Sequence, residues 1–236
     1  MKIPVWFTRA LNDREVTEAR EKNIEPVVHP LISIRLYPVK EILRSAQALP
    51  APTAIAFSSK NAVDAFLTCK VIKPDFLDGI RIFCLGEATA ARLKANGYNV
   101  TIALEATGTG LAGRIASEVS KGSTIWHFCS NIKRPETGNS LEASGVRYYP
   151  LECYETIELT EAGQPEEPFK AVVFYSPSAV RAFVKGKTKL MNNPIVVSIG
   201  ETTADELRAN GFGDILTPHN PTTEALLDVL QNNLSS

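Results

Sequence analysis

The sequence FSSKNAVDAF at positions 57–66 returns as FYSPSAVRAF at positions 174–183, with six of the ten residues identical. A second pattern follows each copy: LGEATAARLKANG at 85–97 and IGETTADELRANG at 199–211 share eight of thirteen residues. The first pair is separated by 117 residues and the second by 114. Because a pattern that recurs at a long, nearly constant interval is typical of a repeated structural unit, the sequence predicts two halves of one duplicated fold.

The composition is that of a globular protein with room for two domains. The chain has 236 residues, of which 44% are hydrophobic and 22% are charged, and domains of about 115 residues lie within the usual size range. The formal net charge is -1, and no run of one sign occurs, whereas nucleic-acid binding calls for a basic face. We therefore expect no nucleic-acid partner.

Targeting and cysteine signals favour the cytoplasm. The first apolar run is too short for a signal peptide, and no stretch approaches the roughly 20 apolar residues that span a membrane. The four cysteines form no CxxC pair and lie in apolar contexts, which is typical of buried thiols in a reducing compartment. The sequence thus predicts a cytoplasmic protein with neither a disulfide framework nor a zinc site.

Strands and helices alternate through both halves. Predicted strands cover residues 2–8, 53–58, 81–85, 99–103, 124–129, 171–175 and 195–199, and residues 24–35 are extended. Predicted helices run from the capping box of Asn12 and Glu15 to about residue 22, then over 39–48, 61–68, 87–96 and 109–119, from the cap Ser176 with Pro177 at N1, and over 201–210 and 222–232. The alternation predicts parallel sheets covered on both faces, so each half is a small doubly wound α/β domain. The acidic segment 155–168, with two prolines, is predicted to be a surface linker.

Several familiar catalytic signatures are absent from the sequence. It has no GxGxxG after a strand, no P-loop and no GxSxG elbow. The histidines at positions 29, 127 and 219 lack metal-ligand spacing and suggest no Ser/His/Asp set, so a structural or solvent-exposed role is favoured for each. Glu166 and Glu167 fall in the predicted linker, where solvated carboxylates are expected.

What remains is a set of helix N-termini at the carboxyl ends of predicted strands. Ser59 and Ser176 begin two helices, and the turns 86–89 and 200–203 begin two more. Ligands of open α/β sheets bind at this edge, and free N–H groups and the helix dipole there favour carboxylates or phosphates. Four such ends, two per domain, predict a polyanionic ligand in a cleft between the domains. The alternative is that the serines only cap their helices and that the threonines of the turns only bond within the first helical turn.

Tyr154 is a more specific candidate. Matching Pro30 with Pro150 sets Ile34 of the first half opposite Tyr154 of the second, so only one half has a phenol there. The residue ends an extended strand, and a phenol facing the cleft would serve as a weak acid or a hydrogen-bond donor. A half-buried tyrosine of the strand is the alternative interpretation.

In order and spacing, these motifs resemble the uroporphyrinogen-III synthase family over essentially the whole chain. The resemblance includes an opening strand that ends in Thr8 and Arg9, then F-[ST]-S-x-x-A-V at 57–63. A [VI]-G-x-x-T-A turn occurs at 85–90, where Leu85 departs mildly, and again at 199–204. Tyr-x-Thr at 154–156 and F-x-S-P-S-A-V at 174–180 complete the set.

The resemblance implies a particular architecture. Members of the family have two flavodoxin-like, doubly wound parallel-sheet α/β domains joined by a two-stranded connector. The implied domains are residues 1–35 with 157–236, and residues 36–156, although sequence pattern alone would divide the chain near Lys121. A monomer is expected.

The resemblance also implies an activity and a site. The family converts linear hydroxymethylbilane, which carries eight carboxylates, to uroporphyrinogen III with inversion of the last pyrrole ring and loss of water, without metal or cofactor. Its tyrosine, which assists departure of the hydroxyl, maps onto Tyr154, its threonines onto Thr89 and Thr203, and its serines onto Ser59 and Ser176. Here Ser58 replaces the commoner Thr and Lys60 the commoner Pro. The remaining candidate substrate-binding residues are Thr8, Arg9, Asn61, Gly86, Pro177, Ser178 and Gly200.

Two other classes of protein stay open on the sequence. A non-catalytic, cytoplasmic two-domain binding or sensor protein for a polyanionic small molecule would use the same two lobes. A two-domain transferase with an activated donor would need a phosphate loop, and none is recognisable. Supplying hydroxymethylbilane and identifying the porphyrin isomer separates these classes from a synthase.

Overall fold

Helices and strands alternate along the chain in the computed structural model, which describes residues 2–69 and 77–234. In chain order the elements are β1 (Ile3–Phe7), α1 (Asp13–Glu21), β2 (Ile24–Val28), β3 (Ile32–Leu36), α2 (Val39–Gln47), β4 (Ala54–Phe57), α3 (Lys60–Thr68), β5 (Arg81–Cys84), α4 (Glu87–Lys94), β6 (Thr101–Ile102), α5 (Gly108–Glu118), β7 (Thr124–Ser130), α6 (Glu136–Ala143), β8 (Arg147–Glu158), β9 (Ala171–Phe174), α7 (Pro177–Lys185), β10 (Ile195–Ser198), α8 (Glu201–Ala209), β11 (Ile215–Leu216) and α9 (Thr223–Leu234).

The chain folds into two compact units. The central unit is Ile34–Thr156, and the discontinuous unit combines the residues up to Ser33 with those from Ile157 onward. The chain therefore passes from one unit to the other within β3 and within β8, which are neighbours in one sheet.

The two sheets have corresponding strand orders. The discontinuous unit has the order β2-β1-β9-β10-β11, and the central unit has β8-β7-β4-β5-β6 with β3 added beside β8. Every pair in the first series is parallel, and so is every pair from β8 to β6 in the second. The repeated segments 57–66 and 174–183 thus begin at the last residues of the central strands β4 and β9 and continue into α3 and α7. The predicted fold class, two doubly wound parallel α/β sheets with a two-stranded connector, is confirmed.

Each sheet is covered on both faces by apolar side chains. In the discontinuous unit, Phe7 and Val173 pack with α9 on one face, and Trp6 and Phe174 pack with α7 on the other. In the central unit, one face carries Phe57 with α3 and α4, and the other carries Ala54, Ala56 and Ile125 with α5 and α6. The hydrophobic runs of the strands follow from this burial on both faces, because neither side of a parallel sheet meets water.

The sequence-based expectation differs from the structure at the start of the predicted linker, at helix α6 and at the short strand β11, which was not predicted. The linker predicted over 155–168 is wrong in its first part, because β8 continues through Glu158. The carboxylate of Glu158 accepts hydrogen bonds from Arg181 at 3.1 Å and Lys185 at 2.6 Å, which fixes that strand end. Helix α6 was not predicted, since Gly138, Asn139 and Ser140 give it poor intrinsic helix propensity.

Packing holds α6 where propensity does not. A Cβ added at Gly108 of α5 would come within 2.7 Å of the Thr137 Oγ1, and one added at Gly138 would come within 2.8 Å of the Tyr148 ring. The backbone of α6 therefore lies directly against its neighbours, and larger side chains at these positions would separate them.

The strand register corrects the alignment of β2 in the first half with β8 in the second half. Trp6 pairs with Val27, whereas Trp126, its counterpart in the repeat, pairs with Tyr149. The pairing of β8 with β7 is therefore shifted by two residues relative to the sequence alignment that matched Pro30 with Pro150. An even displacement leaves each side chain on the same face of the sheet.

The cysteines lie in the core, as predicted. Cys69, Cys84, Cys129 and Cys153 are all buried and free, and burial raises the pKa of each thiol. None of the helices in the described part of the chain combines the length and apolar character that crossing a membrane requires.

Candidate active site

A β-bulge decides where the Tyr154 side chain points. Strand β8 pairs with β7 in regular register up to Cys129 opposite Glu152, and then Ser130 lies opposite Tyr154. The extra residue breaks the alternation, so Cys153 and Tyr154, although adjacent, both pack in the same core cluster. Ile34, set opposite Tyr154 by the sequence alignment, is not its counterpart, because it lies in β3.

Asn131 clamps this bulge. Its backbone N–H donates to the Tyr154 carbonyl at 3.2 Å. Its side-chain Oδ1 accepts from the Thr156 N–H at 3.0 Å and from the Ser130 hydroxyl at 2.8 Å. A short polar side chain after a strand end is the only signal in the sequence, and it did not single out Asn131.

The phenol of Tyr154 forms a hydrogen bond with the helix cap Ser59. The Tyr154 hydroxyl and the Ser59 Oγ are 2.9 Å apart, and the tyrosine is 7% exposed. Burial raises the pKa of Tyr154, and the hydrogen bond with Ser59 opposes that shift. The phenol is therefore neutral at physiological pH and able to donate a hydrogen bond.

The serines at the third position of the two repeated segments, Ser59 and Ser176, both cap their helices. Ser59 Oγ accepts from the Ala62 N–H at 3.1 Å, and Ser176 Oγ accepts from the Ala179 N–H at 3.2 Å. Pro177 occupies the first turn of α7. The capping role expected from sequence is thus confirmed for both serines, and Ser59 also contacts Tyr154.

Helices α4 and α8 begin differently. Their caps are Gly86 and Gly200, and neither helix N-terminus is capped by a side chain that the structure describes. Gly86 has an extended backbone, and a Cβ there would meet no described atom within 4 Å. Neither conformation nor packing explains a glycine at position 86, and its effect is to leave the start of α4 without a cap from any described side chain. Thr89 and Thr203, the third residues of these helices, are 7% and 3% exposed.

Several of these features share one edge of the central sheet. Phe57, the last residue of β4, pairs with Cys84, the last residue of β5, and with Phe128, which lies two residues before the end of β7. Shortly after these strand ends come Ser59, which follows β4, and Gly86, which follows β5, and the bulge lies opposite the end of β7. Lys60 is exposed beside them. Asn61 is half-buried in the first turn of α3. The central unit thus combines a neutral phenol, a capped helix and an uncapped helix at its carboxyl edge.

The discontinuous unit places Thr8 and Arg9 in a closed polar network. Thr8 is fully buried, and its hydroxyl donates to the Val173 carbonyl at 2.7 Å. The Arg9 guanidinium donates to both oxygens of Glu15, at 3.0 and 2.5 Å, and lies 4.0 Å from the Tyr175 ring centroid. Sequence reasoning missed Glu15 and Tyr175 as partners of Arg9, because their contacts join separate elements.

Glu15 is held ionised by this network. Burial acts to raise its pKa, but hydrogen bonds from Arg9, from the Asn12 N–H and from Thr223 outweigh burial and lower the pKa to about 2. Thr223 donates to Glu15 at 2.8 Å and accepts from Arg9 at 3.0 Å. Arg9 and Thr8 therefore have partners within the fold, and Ser178 likewise accepts from Arg181 at 3.0 Å.

Ser58 belongs to a different hydrogen-bonded chain. Its Oγ is 3.0 Å from the Nε2 of His127, whose Nδ1 is 2.8 Å from the Tyr148 hydroxyl. His127 is a buried residue with hydrogen-bond partners on both ring nitrogens, which agrees with a structural role. Among the described residues, no group of three or more His, Cys, Asp or Glu side chains is arranged to hold a metal ion.

The fold and this edge define a class: a two-unit α/β protein with a neutral phenol and open helix N-termini at the carboxyl ends of its parallel strands. A family model described as uroporphyrinogen-III synthase HemD matches residues 13–228. The chain belongs to this uroporphyrinogen-III synthase family.

Solved structures share the fold at low sequence identity. A mutant uroporphyrinogen III synthase from the extreme thermophile Thermus thermophilus is 18% identical, with 99% of both chains covered and a TM-score of 0.72. The uroporphyrinogen-III synthetase from Helicobacter pylori is 21% identical, with 100% of this chain and 99% of that chain covered and a TM-score of 0.67. The wild-type Thermus thermophilus enzyme is 18% identical, with 99% and 98% covered and a TM-score of 0.55. No curated protein sequence matches significantly.

The Arg9–Glu15 network predicts acid sensitivity with a definite sign. Because the folded-state pKa of Glu15 is about 2, against 4.5 as the ordinary value, the unfolded chain binds the extra proton as the pH falls through this window. The stabilisation, on the order of 2 kcal/mol, is present above about pH 5 and is lost as the pH falls towards 2. Urea unfolding of wild type and Glu15→Gln between about pH 7 and about pH 3 measures it.

We expect the difference between these two proteins to shrink by more than half at the acid end. Glu18→Gln is the matched control, since it removes the exposed Arg14–Glu18 pair and should change the unfolding free energy by less than about 0.5 kcal/mol. A wild-type advantage over Glu15→Gln that stays constant across the range would contradict this account.

Proposed function

We propose that this chain closes linear hydroxymethylbilane to uroporphyrinogen III and that Tyr154 assists departure of the hydroxyl group. Membership of the uroporphyrinogen-III synthase family supports the reaction, a cyclising loss of water catalysed by a lyase. The observation that carries the role of Tyr154 is its 2.9 Å hydrogen bond with Ser59. No comparable observation favours a non-catalytic binding protein.

The hydrogen bonds around Ser59 leave the phenol able to donate to the substrate. Ser59 Oγ accepts from the Ala62 N–H, and either hydroxyl of the Ser59–Tyr154 pair can donate to the other. The substrate hydroxyl is a competing acceptor for the phenol, and we propose that it favours the arrangement in which Ser59 donates to the Tyr154 oxygen. The phenolic O–H then points away from the protein towards the substrate. The three donors, which are the Ala62 N–H, the Ser59 hydroxyl and the Tyr154 hydroxyl, then point in one direction away from the positive end of the α3 dipole. Hydrogen bonds arranged in such a series strengthen one another.

The reaction needs only a weak acid. Tyr154 donates a hydrogen bond to the hydroxyl of the hydroxymethyl group while its carbon–oxygen bond breaks, and the electron-rich pyrrole supplies the electrons that expel it. To invert the last ring, its carbon that already carries the methylene bridge forms the first new carbon–carbon bond, and the bond from that carbon to the bridge then breaks. The freed methylene bonds to the unsubstituted carbon of the same ring, which gives up its proton, so hydroxide and one proton leave as water. Selecting which carbon attacks depends on how the chain is held, which is a positional effect.

Open helix N-termini suit a substrate with eight carboxylates. We propose that the N–H groups following Gly86 and Gly200 each donate hydrogen bonds to a substrate carboxylate, with Thr89 and Thr203 beside them. Ser58, Lys60 and Asn61 would add polar contacts on the central unit, and Ser176, Pro177 and Ser178 would shape the rim of the other. Thr8 and Arg9 contribute indirectly, because their polar atoms bond to Val173, Glu15 and Thr223.

We further propose that the chain works as a cytoplasmic monomer on the free tetrapyrrole, with no cofactor and no nucleic acid. The buried free thiols support a reducing compartment. The net charge of -1 supports the lack of a nucleic-acid partner.

One assay tests the proposed function directly. The purified protein is supplied with hydroxymethylbilane, and the product is oxidised and resolved into porphyrin isomers. Spontaneous closure gives isomer I, so we expect a strong enrichment of isomer III in the presence of the protein. A product that remains isomer I would remove the synthase function and leave a binding protein as the better account.

The open end of α4 gives a second prediction. Gly86→Ser supplies a serine cap that bonds the first-turn amides, which should raise the free energy of unfolding by a few tenths of a kcal/mol. The same bond competes with the substrate carboxylate, so KM for hydroxymethylbilane should rise by about tenfold, the loss of one charge-assisted hydrogen bond.

Gly213→Ser is the matched control, since a Cβ at Gly213 also meets no described atom within 4 Å and the residue lies outside the proposed site. Its KM should equal that of wild type. A stabilised Gly86→Ser protein with unchanged KM would show that these amides do not bind substrate.

A further inference from the structure

Ser58, His127 and Tyr148 form a continuous chain of hydrogen bonds within the central unit. The Tyr148 hydroxyl is 2.8 Å from Nδ1 of the imidazole, and Nε2 is 3.0 Å from the Ser58 Oγ. His127 is 4% exposed, whereas Ser58 and Tyr148 are half-buried. The series of hydrogen bonds therefore runs from a half-buried phenol through a buried imidazole to a hydroxyl just beyond the carboxyl end of β4.

This chain lies on the opposite face of the sheet from Tyr154. Ala54 and Ala56 of β4 pack with α5 and α6, and alternation places Ser58 on that same side. The Tyr148 ring is fixed there by the close approach of Gly138, where a Cβ would come within 2.8 Å of the ring. Ser58 and Ser59 are thus adjacent in sequence but belong to two separate hydrogen-bonded systems.

The discontinuous unit, which is the other copy of the repeat, shows that the fold does not require this chain of hydrogen bonds. In the repeat, Tyr175 replaces Ser58 and Phe7 replaces His127. Those two rings lie 6.5 Å apart, in contact without a polar link between them. In the central unit, burial lowers the pKa of His127 to about 4, so the imidazole is neutral at physiological pH. The aromatic pair fills the equivalent space of the other unit without an imidazole.

Chemistry sets the direction of the hydrogen bonds. A neutral imidazole has one N–H, so one ring nitrogen donates and the other accepts. A phenol is intrinsically a stronger hydrogen-bond donor than an alcohol, and burial, which raises the pKa of Tyr148, keeps its hydroxyl protonated. Tyr148 therefore donates to Nδ1, and the imidazole proton lies on Nε2 and is donated to Ser58 Oγ. The hydrogen of Ser58 is left to point outward.

We propose that His127 is a positioning residue that commits the Ser58 hydroxyl to donate to a carboxylate of the substrate. This inference rests on the proposed function, since a carboxylate accepts hydrogen bonds and cannot donate them. The two adjacent serines then divide the work. Ser59 polarises Tyr154 towards the leaving hydroxyl, and Ser58, set by His127 and Tyr148, holds a carboxylate.

Steady-state kinetics on a set of variants test the proposal. His127→Phe introduces the residue found at the equivalent position of the other unit, and KM for hydroxymethylbilane should rise about fivefold with kcat little changed, as for loss of one hydrogen bond. His127→Gln keeps an N–H donor near the position of Nε2 and should restore most of the affinity. Tyr148→Phe should raise KM because it frees the imidazole proton to move to Nδ1. Tyr149→Phe, the neighbouring tyrosine, is the matched control and should behave as wild type.

A double variant separates positioning from a structural effect. If His127 acts through Ser58, His127→Phe should have no further effect on KM in a Ser58→Ala background. Effects of the two substitutions that multiply, or a KM unchanged in His127→Phe, would overturn the proposal. Should His127→Phe fail to fold, the same cycle is built with Tyr148→Phe and Ser58→Ala.

The tautomer itself gives a readout that needs no turnover. The chain has three histidines, so the ¹⁵N signals of His127 are identified by their loss in His127→Gln. We expect protonated Nε2 and unprotonated Nδ1, and a protonated Nδ1 would overturn the proposal. If the wild-type protein makes no isomer III, the proposed function fails. The tautomer of His127 still decides which groups donate in the hydrogen bonds from Tyr148 to Ser58.

Discussion

The hydrogen bond between Tyr154 and Ser59 depends on a single extra residue in β8. Strict alternation along that strand would send Tyr154 to the face opposite Cys153. The bulge opposite Ser130, clamped by Asn131, brings both residues to one face and the phenol within 2.9 Å of Ser59. A strand irregularity therefore converts a core position into a donor at the edge of the sheet, which is a recurrent use of bulges near active sites.

Local patterns in the sequence carried most of the fold and some of the site. The repeated sequence patterns predicted two related sheets because each pattern contains the end of a strand and the start of the following helix. The caps Ser59 and Ser176 were predictable because a cap is decided within four residues of chain. The bulge, the two-residue displacement of β8 and helix α6 were not, because each depends on packing between segments distant in sequence. Tyr154 was singled out by comparing the two halves of the sequence, its role came from the resemblance, and its contact with Ser59 was not predicted.

Duplication preserved the fold and left the polar groups free to diverge. The central unit has the Tyr154–Ser59 pair and the Ser58–His127–Tyr148 chain, both ending in hydroxyl groups at the sheet edge. The corresponding part of the discontinuous unit holds an arginine bound to a carboxylate, whose partners lie within the protein. Equivalent strands thus support different chemistry, which is the usual relation between a fold and the sites built on it.

The most direct test of this account is the turnover of Tyr154→Phe, which keeps the ring and removes only the hydroxyl. Tyr98→Phe is its control, since Tyr98 packs in the same core cluster against Phe66 and lies outside the site. We predict that Tyr154→Phe forms isomer III with kcat reduced by about tenfold to hundredfold, at or below the lower end of general-acid effects, while Tyr98→Phe keeps wild-type turnover. Wild-type kcat in a folded Tyr154→Phe protein would contradict the role assigned to the phenol.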